Sequence, residues 1–204
     1  MTRIAVVDHG AGNLVSIAQG LEQAGAVVAV VDAPAGLAGA DGVVLPGVGT
    51  TGAAMDRLLA AGMVEPLRDW SGPLLGICVG LQLFFEHSEE DGTDALGVMS
   101  GRVTRLADAP LLPHIGWNDV AFSPDPLFAG VPMDATFYFV HSFAVEPTDR
   151  SLVIAETDYG SPFVAAARSG NRVGVQFHPE RSGKAGLRML ANFVAACERQ
   201  HDAA

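Results

Sequence analysis

Cys78 lies between two glycines in the segment Gly76-Ile77-Cys78-Val79-Gly80. Small residues two before and two after a thiol suit a nucleophile on a strand-to-helix elbow, where the chain turns too sharply to admit flanking side chains. The start of the following helix adds partial positive charge, which favours thiolate. Taken alone, the segment reads equally well as a small buried hydrophobe beside a glycine turn. A thiol nucleophile needs a base, and the base needs an orienting group. Of the six histidines, His9, His87 and His114 fall in loops by sequence and His201 in a polar tail, so local hydrogen bonding or solvation accounts for them. His178 ends the apolar run Val173–Phe177 and is followed by Pro179 and Glu180. Imidazole and carboxylate two residues apart share one side of an extended segment. Glu180 is therefore placed to hold the ring while the other nitrogen faces Cys78; an ordinary exposed His-Pro-Glu loop is the plainer alternative. Acyl chemistry also needs N–H donors for a developing oxyanion. Val79 is one candidate, and Val48 and Gly49 of Pro46-Gly47-Val48-Gly49 are others, although a structural Gly-Pro turn also explains that run.

Only a sheet can bring Cys78 and His178 together. Arg3–Val7, Val27–Val31, Asp41–Leu45 and Pro73–Ile77 read as strands, separated by helical spacing at Leu14–Leu21 and over Ala53–Trp70, with an interruption near Gly62. Gly80–His87 continues as a helix. Strands alternating with helices predict right-handed crossovers and a parallel sheet covered on both faces. Its carboxyl edge is where such sites form. The second half reads as strands at Val98–Leu106, Trp117–Phe122, Thr136–Ala144 and Leu152–Thr157, then a hairpin of Phe163–Arg168 and Arg172–Phe177 around Gly170-Asn171. A last helix carries Leu187, Leu190, Val194 and Cys197 on one stripe. The expectation is one α/β domain over residues 1–204, a mostly parallel central sheet with helices on both faces and antiparallel additions.

Composition agrees. The 204 residues are 49% hydrophobic and 17% charged, which excludes a disordered segment. A net charge of −11 argues against nucleic acid as the main partner. Asp8 interrupts the N-terminal apolar run where a signal peptide would still need apolar residues. Leu74–Phe85 is too short for a membrane span, which needs about 20 residues. Two cysteines without a CxxC pair speak against a disulfide scaffold or a zinc site, and fit a reducing cytoplasm.

Together, Gly76–Gln82, Pro46–Gly49 and Gln176–Glu180 resemble the triad-type (class I) glutamine amidotransferases. Asp8–Ser16, Pro113–Asn118, Tyr138–Phe143 and Gly174–Gly183 narrow the resemblance to the glutaminase subunits of imidazole glycerol phosphate synthases, over about Ile4–Phe193. The resemblance implies a flavodoxin-like fold and hydrolysis of L-glutamine to glutamate and ammonia through a Cys78 thioester. His178 would be the base and Glu180 its orienting group, with no metal and no cofactor. It further implies that Gly47, Gly49, Gln82 and the Ser142-Phe143 backbone hold the glutamine. Ammonia would pass to a (β/α)8-barrel cyclase in a heterodimer serving histidine biosynthesis, with Asn13, Tyr138 and Arg181 at the interface and ammonia gate.

Several positions depart from the family pattern: His9 stands where tyrosine is usual, Val79 where leucine, Leu81 where methionine, Phe143 where tyrosine and Arg181 where lysine. None belongs to the triad. Arg181 changes the contacts an ammonium would make. The alternatives are a triad glutaminase of pyridoxal phosphate, anthranilate or guanine synthesis, against which Gly116-Trp117-Asn118 and Tyr138–His141 argue, and a non-catalytic sensor on the same fold, against which the intact triad argues.

Overall fold

A computed structural model describes residues 1–10 and 12–201, Gln200 and His201 by backbone alone. Ala11 of the Asp8–Ser16 stretch and the side chain of His201 lie outside the described residues. The chain opens as β1 (Arg3–Val7), α1 (Leu14–Gln23), β2 (Val27–Val31), β3 (Gly42–Leu45), α2 (Thr51–Ala60), α3 (Val64–Arg68), β4 (Leu74–Ile77) and the single turn α4 (Val79–Gln82). Strands then dominate: β5 (His87–Ser88), β6 (Thr93–Asp94), β7 (Gly101–Arg105), β8 (His114–Asp119), β9 (Ala121–Phe122), β10 (Thr136–His141), β11 (Phe143–Pro147), β12 (Val153–Asp158), β13 (Pro162–Ser169) and β14 (Arg172–Val175). Helix α5 (Gly183–His201) ends the described chain.

Apolar residues decide where each strand lies. β3 and β4 are buried along their whole length, as strands covered on both faces must be. They sit inside the main sheet, ordered β2-β1-β3-β4-β14-β13-β12-β9. Its first five strands pair in parallel. The hairpin β13–β14, turning at Gly170-Asn171 as expected, starts the antiparallel part. The chain moves from β1 to β2 in one direction and from β3 to β4 in the other, so right-handed crossovers put their helices on opposite faces. Helix α5 packs against α1: a Cβ on Gly20 would lie 2.7 Å from Leu190 Cδ1. Its buried stripe of Met189, Leu190, Phe193, Val194 and Cys197 covers the sheet near Gly42, with Leu187 half-buried at the α1 contact.

Some boundaries differ from the sequence reading. The helix expected over Gly80–His87 stops after Gln82. Leu83, Phe84 and Phe85 are fully buried, and their carbonyls accept from Leu96, Gly97, Val98 and Met99 rather than from a continuing helix. The strand expected over Thr136–Ala144 breaks at Ser142, whose carbonyl accepts from Leu106. β10 therefore pairs with β8, and β11 with β7 in a separate sheet β11-β7-β5-β6. The strand read over Val98–Leu106 is confined to β7, and that read over Trp117–Phe122 divides into β8 and β9. His87 and His114 lie in strands rather than loops: His87 pairs with Asp94, and buried His114 stacks on Tyr159 at 3.9 Å. Among the described residues no helix is long and apolar enough to cross a membrane.

Candidate active site

The elbow follows from backbone crowding. Cys78 has φ +55° and ψ −108°, a region L residues avoid at a cost of about 1–2 kcal/mol, and its N–H donates to Val175 O at 2.8 Å. A Cβ on Gly76 would lie 2.6 Å from the Gly80 carbonyl carbon and oxygen, and one on Gly80 only 1.8 Å from Leu45 O. No other residue fits either flank. Because α4 is a single turn, its dipole is a smaller source of positive charge at the sulfur than the sequence alone suggests.

Parallel pairing of β4 with β14 sets Ile77 beside Val175, so both chains leave the sheet at one edge. Beyond it His178 is extended, and Pro179–Arg181 form a 3₁₀ turn. That turn, rather than an extended segment, swings Glu180 under the ring, where Nδ1 lies 2.9 Å from Oε1. A carboxylate only accepts, so Nδ1 carries the proton. Ser182 staples the turn: its Oγ donates to His178 O at 2.6 Å and accepts from Tyr138 N–H at 3.0 Å, while His178 N–H donates to Tyr138 O at 2.8 Å.

Among the described residues the other ring nitrogen, Nε2, makes no hydrogen bond of ordinary geometry, and neither does Glu180 Oε2; both are buried. Burial opposes the imidazolium, but neighbouring Cys78 and Glu180 outweigh it and push the His178 pKa up to about 10. A charged imidazole between carboxylate and sulfur satisfies a carboxylate that burial would otherwise leave uncompensated. Cys78, 3% exposed, has its sulfur 3.9 Å from Val140 O and 3.5 Å from Gln176 Nε2.

The other expected residues stand in different relations to this centre. Gln82 is buried, its Nε2 donating to Phe143 O at 2.9 Å and to Gln176 Oε1 at 3.2 Å. The carbonyls of Ser142 and Phe143 are engaged by Leu106 N–H and by Gln82 and His141. Gly47 passes so near Val79 that a Cβ would sit 2.6 Å from the Val79 Cβ, which brings the Pro46–Gly49 loop against the elbow. Val48 projects outward at 39% exposure, and Gly49 has φ +92°. Tyr138 and Arg181 meet, the guanidinium 4.0 Å from the ring centroid, beside exposed Trp117. Asn13 caps α1 through Ser16 N–H. Sequence reasoning missed two residues of the centre, Gln176 and Ser182. The available signal was a polar residue at each flank of the His178 segment with no solvent to face. Cys197 is buried away from this edge on α5; burial, with Asp41 adding to it, pushes its thiol up to about 12. Among the described residues no group of three or more His, Cys, Asp or Glu is placed to hold a metal ion.

Comparison with known proteins matches the family "Glutamine amidotransferase class-I" over residues 5–197. The chain is 49% identical to the imidazole glycerol phosphate synthase subunit HisH of Synechococcus sp. (strain JA-3-3Ab), covering 99% of this chain and 97% of that one. It is 48% identical to the HisH protein of Symbiobacterium thermophilum, over 95% and 93%. Among solved structures, a putative GMP synthase component from Thermoplasma acidophilum superposes with a TM-score of 0.76 at 23% identity, over 100% of this chain and 97% of that one, a likeness of fold.

Proposed function

The chain belongs to the class-I glutamine amidotransferase family, and from that premise we propose that it is the glutaminase subunit of an imidazole glycerol phosphate synthase in histidine biosynthesis. The observation that supports this most directly is the coincidence, at one sheet edge, of Cys78 on a strained elbow and a His178 ring held by buried Glu180. In this reading the Cys78 sulfur attacks the glutamine carboxamide carbon, its proton passing to His178. Val79 N–H and an amide of the Val48-Gly49 segment receive the oxyanion. The C–N bond breaks as His178 protonates the leaving nitrogen, releasing ammonia and leaving a thioester. Water then attacks, gives a proton to His178 and expels the sulfur, so that glutamine and water become glutamate and ammonia. Gly47, Gly49, Gln82 and the Ser142-Phe143 backbone hold the substrate. Asn13, Tyr138 and Arg181 border the route by which ammonia reaches a (β/α)8-barrel cyclase partner. A reducing cytoplasm suits a thiol nucleophile.

Treatment with a glutamine-mimicking diazo-ketone tests the assignment. Mass spectrometry should find the adduct on Cys78 with glutaminase activity lost, and Cys197 unmodified. An adduct on Cys197 alone would overturn the nucleophile assignment.

A further inference from the structure

We propose that His9 is a positioning residue for the oxyanion donors, acting through the carbonyl of Pro46; this rests on the amidotransferase reading above. His9 follows β1, is 3% exposed, and has Nε2 only 2.6 Å from Pro46 O. A carbonyl only accepts, so Nε2 holds the proton. Nδ1 is buried without a hydrogen-bond partner among the described residues. Burying a polar nitrogen unsatisfied costs free energy that an apolar ring of the same size would avoid. Packing alone therefore does not account for the imidazole; the bond to Pro46 does.

That bond acts on the loop through one rigid unit. Pro46 C=O and Gly47 N–H share a planar trans peptide, so holding the oxygen also fixes the direction of the N–H. Downstream the loop is tied a second time: Thr51 N–H donates to Glu90 at 3.2 Å, Gly52 N–H to Asp91 at 3.0 Å, and Thr51 Oγ1 to Ser88 Oγ at 2.6 Å. His9 is itself held, its carbonyl accepting from Arg57 of α2 at 3.3 Å. The Gly47–Val48 and Val48–Gly49 peptides lie between the two ties along the chain, with Gly47 against the elbow at Val79. Without the His9 tie, the Pro46–Gly47 plane turns and the amides that follow lose a common orientation.

The test measures glutamine hydrolysis by the full chain together with its partner subunit. His9→Phe keeps the ring and removes the donor. It should lower kcat about 10- to 100-fold while KM stays within about threefold, since outright loss of one oxyanion donor costs roughly 10²–10³. His9→Gln, whose amide nitrogen reaches the Nε2 position, should restore kcat to within about threefold, whereas His9→Asn, one methylene shorter, should not. An unchanged kcat in His9→Phe, or a Gln variant no better than the Asn variant, would overturn the inference. If His9→Phe does not fold, the Gln and Asn pair still decides. A wild-type complex that fails to hydrolyse glutamine overturns the amidotransferase reading instead.

Discussion

Among the described residues the fully buried Glu180 carboxylate has one hydrogen-bond partner, His178, and a second oxygen without a bond. Such a carboxylate holds its neighbouring imidazole in one tautomer and favours its charged form. Glu180→Gln keeps the volume and removes the charge. It should lower kcat for glutamine by about 10²–10⁴, read from glutamate release at saturating substrate. Stability should follow the same charge. The folded pKa of His178, about 10, lies above its ordinary 6.5. Its contribution is therefore complete below pH 6.5 and lost as pH rises through 10. A melting series from pH 6 to 10.5 should show the loss, and Glu180→Gln should make it shallower, Cys78 supplying the rest of the shift; an equally steep profile in the variant would remove Glu180 from the cause.

At the scale of elements, the elbow joins β3, β4 and α4 through backbone contacts too close for a methyl group. Gly80→Ala would push a carbon into Leu45 O, 1.8 Å away, with main chain on both sides unable to yield. The expected cost is about 3 kcal/mol or failure to fold, read as a fall in Tm or in soluble yield. The strands around Cys78 were legible because β1, β3 and β4 are short apolar runs with a glycine or proline close by: Gly10 after β1, Pro46 after β3 and Pro73 before β4. Helix α4 was not. Leu81, Leu83, Phe84 and Phe85 are apolar on every side, and periodicity cannot tell a buried helix from a buried irregular segment whose carbonyls serve another loop. The break at Ser142 was hidden for a similar reason: the alternation of Thr136–Ala144 continues across it, and only pairing with β8 on one side and β7 on the other divides it.

Across the whole molecule, the groups proposed to react are closed in. Cys78 and His178 are each 3% exposed, while the loop beside them is built on two glycines. Glutamine turnover by the chain alone should be slow, and should rise at least about tenfold when the partner and its ligand are added, a coupling of about 1.4 kcal/mol. Glutamate release with and without the partner measures it; full activity of the chain alone would refute activation by the partner and leave the chemistry. The face presenting Arg181 over Tyr138, with exposed Trp117 alongside, is where docking is expected to act. Arg181→Ala should weaken co-elution with the partner while Tm moves by no more than a few degrees, since exposed substitutions change stability by about 0.5 kcal/mol or less.

The residue types at the centre, the family and the succession of strands and helices were readable from the chain itself, because a thiol between glycines and an imidazole before a carboxylate carry their chemistry in their identities and short-range spacing. Folding in three dimensions decided which other groups share the space. Glu180 reaches its ring through a 3₁₀ turn, Gln176 touches the sulfur, Ser182 ties His178 to β10, and His9 finds Pro46 across the top of the sheet. The His9 contact and the ties to the sulfur and to β10 join residues distant in sequence. Their energies depend on distances of a few ångströms and on the exclusion of water, quantities that exist only once the sheet has assembled.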